Sequence, residues 1–153
     1  MNYQLLKQEI VDDPLSQGYS AFLPDSTGWV ANMLNERKFQ AVKTRMVTAR
    51  GIMASYGIGP TQGALFLDKL ESLSANIPAL KWAMKFLQQE TGLDVGEPAT
   101  QIMLTSLIGV GGITQAEVDG VKAMATQPAS RAEVLFGSDV IVTEHDVIKA
   151  MEV

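Results

Sequence analysis

The stretch that most constrains this chain runs from Pro98 to Gly137, PATQIMLTSLIGVGGITQAEVDGVKAMATQPASRAEVLFG. Its punctuation dictates helix, glycine turn, helix, proline break and short helix. Pro98 suits the first turn of a helix, where its missing N–H is not needed. Ile102, Met103, Leu107 and Ile108 are spaced to face inward from that helix. Gly109, Gly111 and Gly112 end it. Thr114 and Glu117 spell a capping box, in which the threonine oxygen accepts the amide of the third helical residue and the glutamate reaches back. Val118, Val121, Met124 and Ala125 line the inner face of the helix that follows. Pro128 breaks that helix, and a short one carries Val134, Leu135 and Phe136 to Gly137.

The remaining segments read as short helices around this unit. Tyr3, Leu6 and Ile10 form an apolar stripe over Asn2–Val11, and Asp12-Asp13-Pro14 stops it, because the residue before a proline avoids the helical region. The next loop carries Leu15, Tyr19, Phe22 and Leu23, an apolar load that predicts a loop folded back onto the core. Asp25 is expected to cap a helix reaching Asn35, with Val30, Met33 and Leu34 buried and Trp29 beside Met33. The basic segment from Arg37 to Thr48 is an extended arm or a ragged helix, and Thr48 caps a short helix ending near Tyr56.

Beyond the GIGPTQG break, Pro60 opens a helix with Phe66, Leu70 and Leu73 on one face. Asn76 and Pro78 open another, Ile77 to Glu90, that is apolar on two faces. Leu80, Ala83, Met84 and Leu87 form one stripe, and Trp82 and Phe86 the other. Such a helix is usually central to a bundle or to an oligomer. Gly92 is expected to end it as a left-handed C-terminal residue. Asp139–Val142 reads as extended. Thr143 and Asp146 open a last helix with Val147, Ile148 and Met151. Strand signal is confined to residues 42–48 and 139–142. The expected fold class is all-α: a compact bundle of about seven or eight short helices, forming a single domain over 1–153, with 37–50 as an extended basic arm.

Composition narrows the chemistry. The 153 residues include no cysteine and one histidine. That leaves no material for disulfides or a thiolate metal site, and little for zinc or a hydrolytic triad. The N-terminus lacks the basic-then-apolar pattern of a signal peptide, and no apolar run is long enough to cross a bilayer. A soluble chain made in the cytoplasm is the expectation. Net charge is −5, but residues 1–89 hold nine Lys/Arg against seven Asp/Glu, and residues 90–153 three against ten. Arg37, Lys38, Lys43, Arg45 and Arg50 fall in fourteen residues without an acid. An acidic total argues against general nucleic-acid binding. A basic edge and an acidic edge suit head-to-tail contact between copies, which closes into a ring when the rotation allows.

The other constellations have plainer readings. GVGGIT follows a helix and is followed by no lysine, so a helix–helix turn fits better than a phosphate loop. Glu144, His145 and Asp146 are adjacent on a helix and point in different directions. Asp12 and Asp13 fit a solvated helix end with local backbone hydrogen bonds better than a paired-carboxylate cation site. The methionines are spread over several helices and mostly sit at core spacing, as gap-fillers. A small enzyme using Asp12, Asp13 or His145 has the least support, because no convergent polar cluster is visible.

Two stretches resemble a known family. LKQEIVDDPLSQGYS is similar to the "L…E…DPLGRGY" opening of small structural proteins encoded by tailed bacteriophages, with Ser16-Gln17 where Gly-Arg is expected. LIGVGGITQAEVDGVKAMATQPASRAEVLFGSDVIVTEHDVIKAM is similar to the same proteins' ending: a glycine-rich turn, an acidic helix, a "PASRAE" step and a "T.E.DV..A" final helix. Together they cover under half of the chain. The resemblance implies a non-enzymatic virion protein, with a head–tail connector or neck protein favoured. It would assemble with copies of itself into a ring between portal and tail proteins, with genomic DNA only as lumen content and no membrane, metal or cofactor. The candidate contact residues are Asp12, Asp13, Tyr19, Phe22, Arg37, Lys38, Lys43, Arg45 and Arg50. The alternative is a helical regulatory module that binds nucleic acid through residues 37–50.

Overall fold

The computed structural model describes residues 1–55 and 58–153. In chain order the elements are α1 (Tyr3–Asp12), a 3-10 turn (Tyr19–Phe22), α2 (Thr27–Asn35), β1 (Phe39–Val42), β2 (Met46–Val47), α3 (Ala49–Ala54), α4 (Pro60–Ser74), α5 (Pro78–Gln88), β3 (Leu93–Asp94), α6 (Pro98–Ser106), α7 (Gln115–Ala123), β4 (Thr126–Ala129), α8 (Arg131–Phe136) and α9 (Glu144–Glu152). The chain is mostly helical, as expected. It is not purely so: β1 pairs with β4, and β2 with β3. The expected end of a helix near Tyr56, and the Gly57 that opens GIGPTQG, lie outside the described residues.

Two compact units are present. The first joins Met1–Ala41 to Pro128–Val153, and the second is Val42–Gln127. Each has its own apolar core. In the first unit Leu6, Ile10, Tyr19, Val30, Ala31, Leu34, Ala132, Val142, Val147 and Ala150 are buried together. Both α1 and α2 pack on α9, and α2 also packs on α8. The apolar loop folds back in part: Tyr19 is fully buried and Phe22 and Leu23 lean on the core, but Leu15 is exposed. The predicted Asp25 cap is corrected. Ser26 holds the N-cap position of α2 and makes no side-chain cap bond.

The second unit is built on Phe66, Leu70, Leu80, Ala83, Met84, Leu87, Leu104, Leu107, Val118 and Val121, among others. Here α4 packs on both α3 and α5. One predicted inward residue is corrected. Ile102 is 71% exposed, and the buried line beginning in α6 is Thr100, Leu104 and Leu107, spaced i, i+4, i+7. A polar first member hid that line from a purely apolar reading.

The basic segment is not a free arm. Residues 39–42 and 46–47 are paired strands, and Arg50 is already in α3, which Thr48 caps by accepting the Gly51 amide. Met46 lies opposite Asp94 and Val47 opposite Leu93 in the antiparallel β2–β3 ladder. This ladder explains Gly92, which does not serve as the helix-ending residue: α5 ends at Gln88. Gly92 has φ +77°, and a Cβ there would lie 2.5 Å from the Val47 carbonyl oxygen. The expected extended run 139–142 is also corrected. Asp139 is left-handed, with φ +63°, and no strand forms there. Instead the Asn35 side chain takes the place of a strand partner. Its Nδ2 donates to the Val142 carbonyl at 2.7 Å, and its Oδ1 accepts the Val142 amide at 2.9 Å.

Candidate interaction surface

The N-terminal loop candidates divide by what they already hold. Asp13 leaves α1 in a left-handed conformation, with φ +39°. Its carboxylate accepts the Gln17 amide at 2.7 Å and the Gly18 amide at 2.6 Å. Those bonds fold the loop locally, which is the solvated-helix-end reading of the two acids. Asp12 is exposed at the end of α1. Tyr19 lies in the core and offers no surface. Phe22 is half-buried and stacks on Trp29, with centroids 6.2 Å apart and planes at 27°, while Trp29 faces outward.

The basic candidates are likewise engaged in part. In the first unit Arg37 Nε lies 3.7 Å from the buried Glu133 carboxylate, and Lys38 pairs with Glu36 at 2.6 Å. Lys43, Arg45 and Arg50 belong to the second unit. The Lys43 amide donates to the Ala125 carbonyl at 2.9 Å. The Arg45 amide donates to Asp94 Oδ1 at 2.8 Å, and its side chain is exposed. Arg50 is exposed and lines a cleft of about 500 Å³ with Thr48, Leu87 and Glu90. No single unit holds all five cations.

The charge asymmetry changes accordingly. The first unit holds five Lys/Arg and ten Asp/Glu, and the second seven of each. The whole net charge of −5 therefore sits on the first unit. A basic half and an acidic half exist along the sequence only.

Three networks escaped the reading by pattern. Glu9 and Arg131 form a double hydrogen-bonded ion pair at 2.7 and 2.7 Å. Arg131 also lies over the Phe39 ring at 6.0 Å. The hydrogen bonds it donates to Glu9, acting against burial, hold the Arg131 guanidinium above its usual pKa. The signal was present: Glu9 stands three residues after Leu6, on the buried face of α1. Second, Ser130 and Glu133 make a full capping box on α8, legible as S-x-x-E. Third, Lys69 of α4 donates to the Gly112 carbonyl and to Glu117, both at 2.8 Å. A lysine thus does reach the glycine turn, but it is held by a carbonyl and a carboxylate. Gly109 donates back to the Ile113 carbonyl at 2.8 Å, so the turn is a tight helix–helix connection.

The expected capping boxes at Thr114–Glu117 and Thr143–Asp146 are both formed, and His145 is exposed. Among the described residues no group of three His, Cys, Asp or Glu is placed to hold a metal ion. No described helix is long and apolar enough to cross a membrane.

The two-faced helix is the clearest outward feature of the second unit. In α5 Leu80, Ala83, Met84 and Leu87 are buried, as read. Trp82 is 58% exposed and Phe86 45%. Lys85 Nζ lies 4.1 Å from the Trp82 ring centroid. Lys81 is exposed beside them, and α5 contains no acid. No family model, curated protein or solved structure matches the chain.

Proposed function

We propose that this chain is a non-enzymatic structural subunit of a tailed-bacteriophage particle, a head–tail connector protein working as one copy in a ring between portal and tail. The observation that carries this reading is the Glu9–Arg131 pair. Glu9 belongs to the phage-like opening and Arg131 to the phage-like "PASRAE" step. The two side chains close one part-buried ion pair across 122 positions of sequence. The helices around them, α1, α2, α8 and α9, form one unit. The two stretches of resemblance therefore support each other as parts of one folded element.

The test is the composition of purified particles from a phage encoding this chain. Mass spectrometry is expected to find the chain in virions at ring-level copy number, and labelling is expected to place it at the neck. Particles that lack it overturn the reading. Nucleic-acid binding through residues 37–50 has less support, because Arg37 and Lys38 are paired with acids on the unit that carries the negative charge. Absence of salt-dependent binding to duplex DNA removes that alternative.

A further inference from the structure

The outward face of α5 is exposed, aromatic at its centre and basic around it. Trp82 and Phe86, spaced i, i+4, form its apolar centre, and Lys81 and Lys85 are its charges, with no acid on the helix. Exposed aromatic anchors of this kind are concentrated where proteins meet partners. The two lysines ask for a partner surface that is apolar at its centre and carries carboxylates.

The chain itself displays such a surface. On α9 the exposed residues Glu144, Ile148, Met151 and Glu152 recur at i, i+4, i+7, i+8 and share one face. Val147 and Ala150 are buried in the core. Two carboxylates there accompany two aliphatic side chains. Glu144 accepts the Thr27 hydroxyl and forms no salt bridge among the described residues, and Glu152 forms none either. This face belongs to the unit with ten acids and five bases.

We infer that the α5 face of one copy docks on the α9 face of a second copy of this chain. The two faces differ, so the contact is heterologous and each copy keeps one free face of each kind. Such contacts propagate into rings or open filaments. This deepens the connector reading and rests on it for closure into a ring, though not for the contact itself.

The experiment uses the full chain. Equal amounts of isotopically light and heavy protein, with Phe86→p-benzoylphenylalanine in the light copy, are mixed at millimolar concentration and irradiated. Cross-links from the light copy to residues 144–152 of the heavy copy are expected. The variant K81E/K85E, checked for retained helix content, is expected to associate about tenfold more weakly in sedimentation runs. The chain carrying K81E/K85E with E144K/E152K is expected to regain association. Cross-links confined to the same copy, cross-links to other segments of the heavy copy, or a monomer at every concentration overturn the contact. If the paired swap does not fold, the cross-link map alone decides. Virion composition is a separate readout: the chain present in particles without this cross-link overturns the contact alone. The cross-link in a chain absent from particles overturns the phage reading alone.

Discussion

Glu9 on α1 and Arg131 at the start of α8 meet through two hydrogen bonds of 2.7 Å, with 3% and 16% of their side chains exposed. A bidentate pair so placed repays its desolvation only while both partners remain. Glu9→Ala strands a guanidinium in the interior and is expected to cost about 3 kcal/mol in urea unfolding. The double variant E9L/R131M removes both charges and is expected to lose clearly less. Equal losses in the two variants would show that packing, not the stranded charge, sets the cost.

Asn35 is expected to behave as part of the backbone network. Its amide satisfies both the N–H and the C=O of the buried Val142. Asn35→Ala leaves both unpaired and is expected to cost about 1–3 kcal/mol. Hydrogen exchange at the Val142 amide is expected to accelerate by more than the change in global stability explains.

Two glycines separate strain from collision. Gly112 has φ +75° with nothing near its would-be Cβ, so Gly112→Ala meets only the left-handed penalty of about 1 kcal/mol. At Gly96 a Cβ would overlap the Lys43 carbonyl. Gly96→Ala is expected to exceed Gly112→Ala in cost and to disturb the β2–β3 ladder, seen as lost amide protection at Val95, whose N–H donates to the Arg45 carbonyl at 2.9 Å.

The capping acids make stability depend on acid pH. At Asp146 hydrogen bonds from the Thr143 hydroxyl and amide outweigh burial and hold the carboxyl below its ordinary 3.8. At Glu117 burial works upward, but hydrogen bonds from Lys69 and Thr114 prevail and hold it below 4.5. A depressed carboxyl stabilises the fold fully above its unfolded value and loses that contribution as pH falls through the folded value. Unfolding midpoints are expected to fall as pH drops below these ordinary values. Thr114→Ala and Thr143→Ala are each expected to cost about 1 kcal/mol at neutral pH and to flatten that dependence.

Tyr19 gives the alkaline counterpart. Burial first, then the negative charges of Glu9 and Asp13, push its phenol up to about 12 from 10.0. The unfolded chain releases this proton first, so the stability contribution is complete below pH 10.0 and declines between there and about 12. Tyrosinate absorbance should show a late step from Tyr19. The Tyr19 hydroxyl is buried without a hydrogen-bond partner among the described residues. Tyr19→Phe is therefore expected to change stability by less than about 1 kcal/mol and to abolish the late step.

Local chemistry determined a good share of this protein by itself. The Thr114–Glu117 and Thr143–Asp146 boxes, the Pro60 and Pro98 helix starts and the four-residue inner stripe of α5 follow from short-range rules. Each needs only neighbours within one or two turns. What the tertiary structure decided are matters in which a residue answers to a partner far along the chain. Gly92 reads as a helix terminator, but its conformation serves the passage of Val47. Residues 139–142 look extended, and their hydrogen bonds come from Asn35. Ile102 carries the apolar signal, and Thr100 takes the buried position. The basic run at 37–50 looks like one charged arm, yet its cations divide between two units, and Arg37 and Lys38 pair with acids. Charge summed along a chain has no direction in space. Only the division of the chain into two units turns that tally into a net charge of −5 on one unit and none on the other.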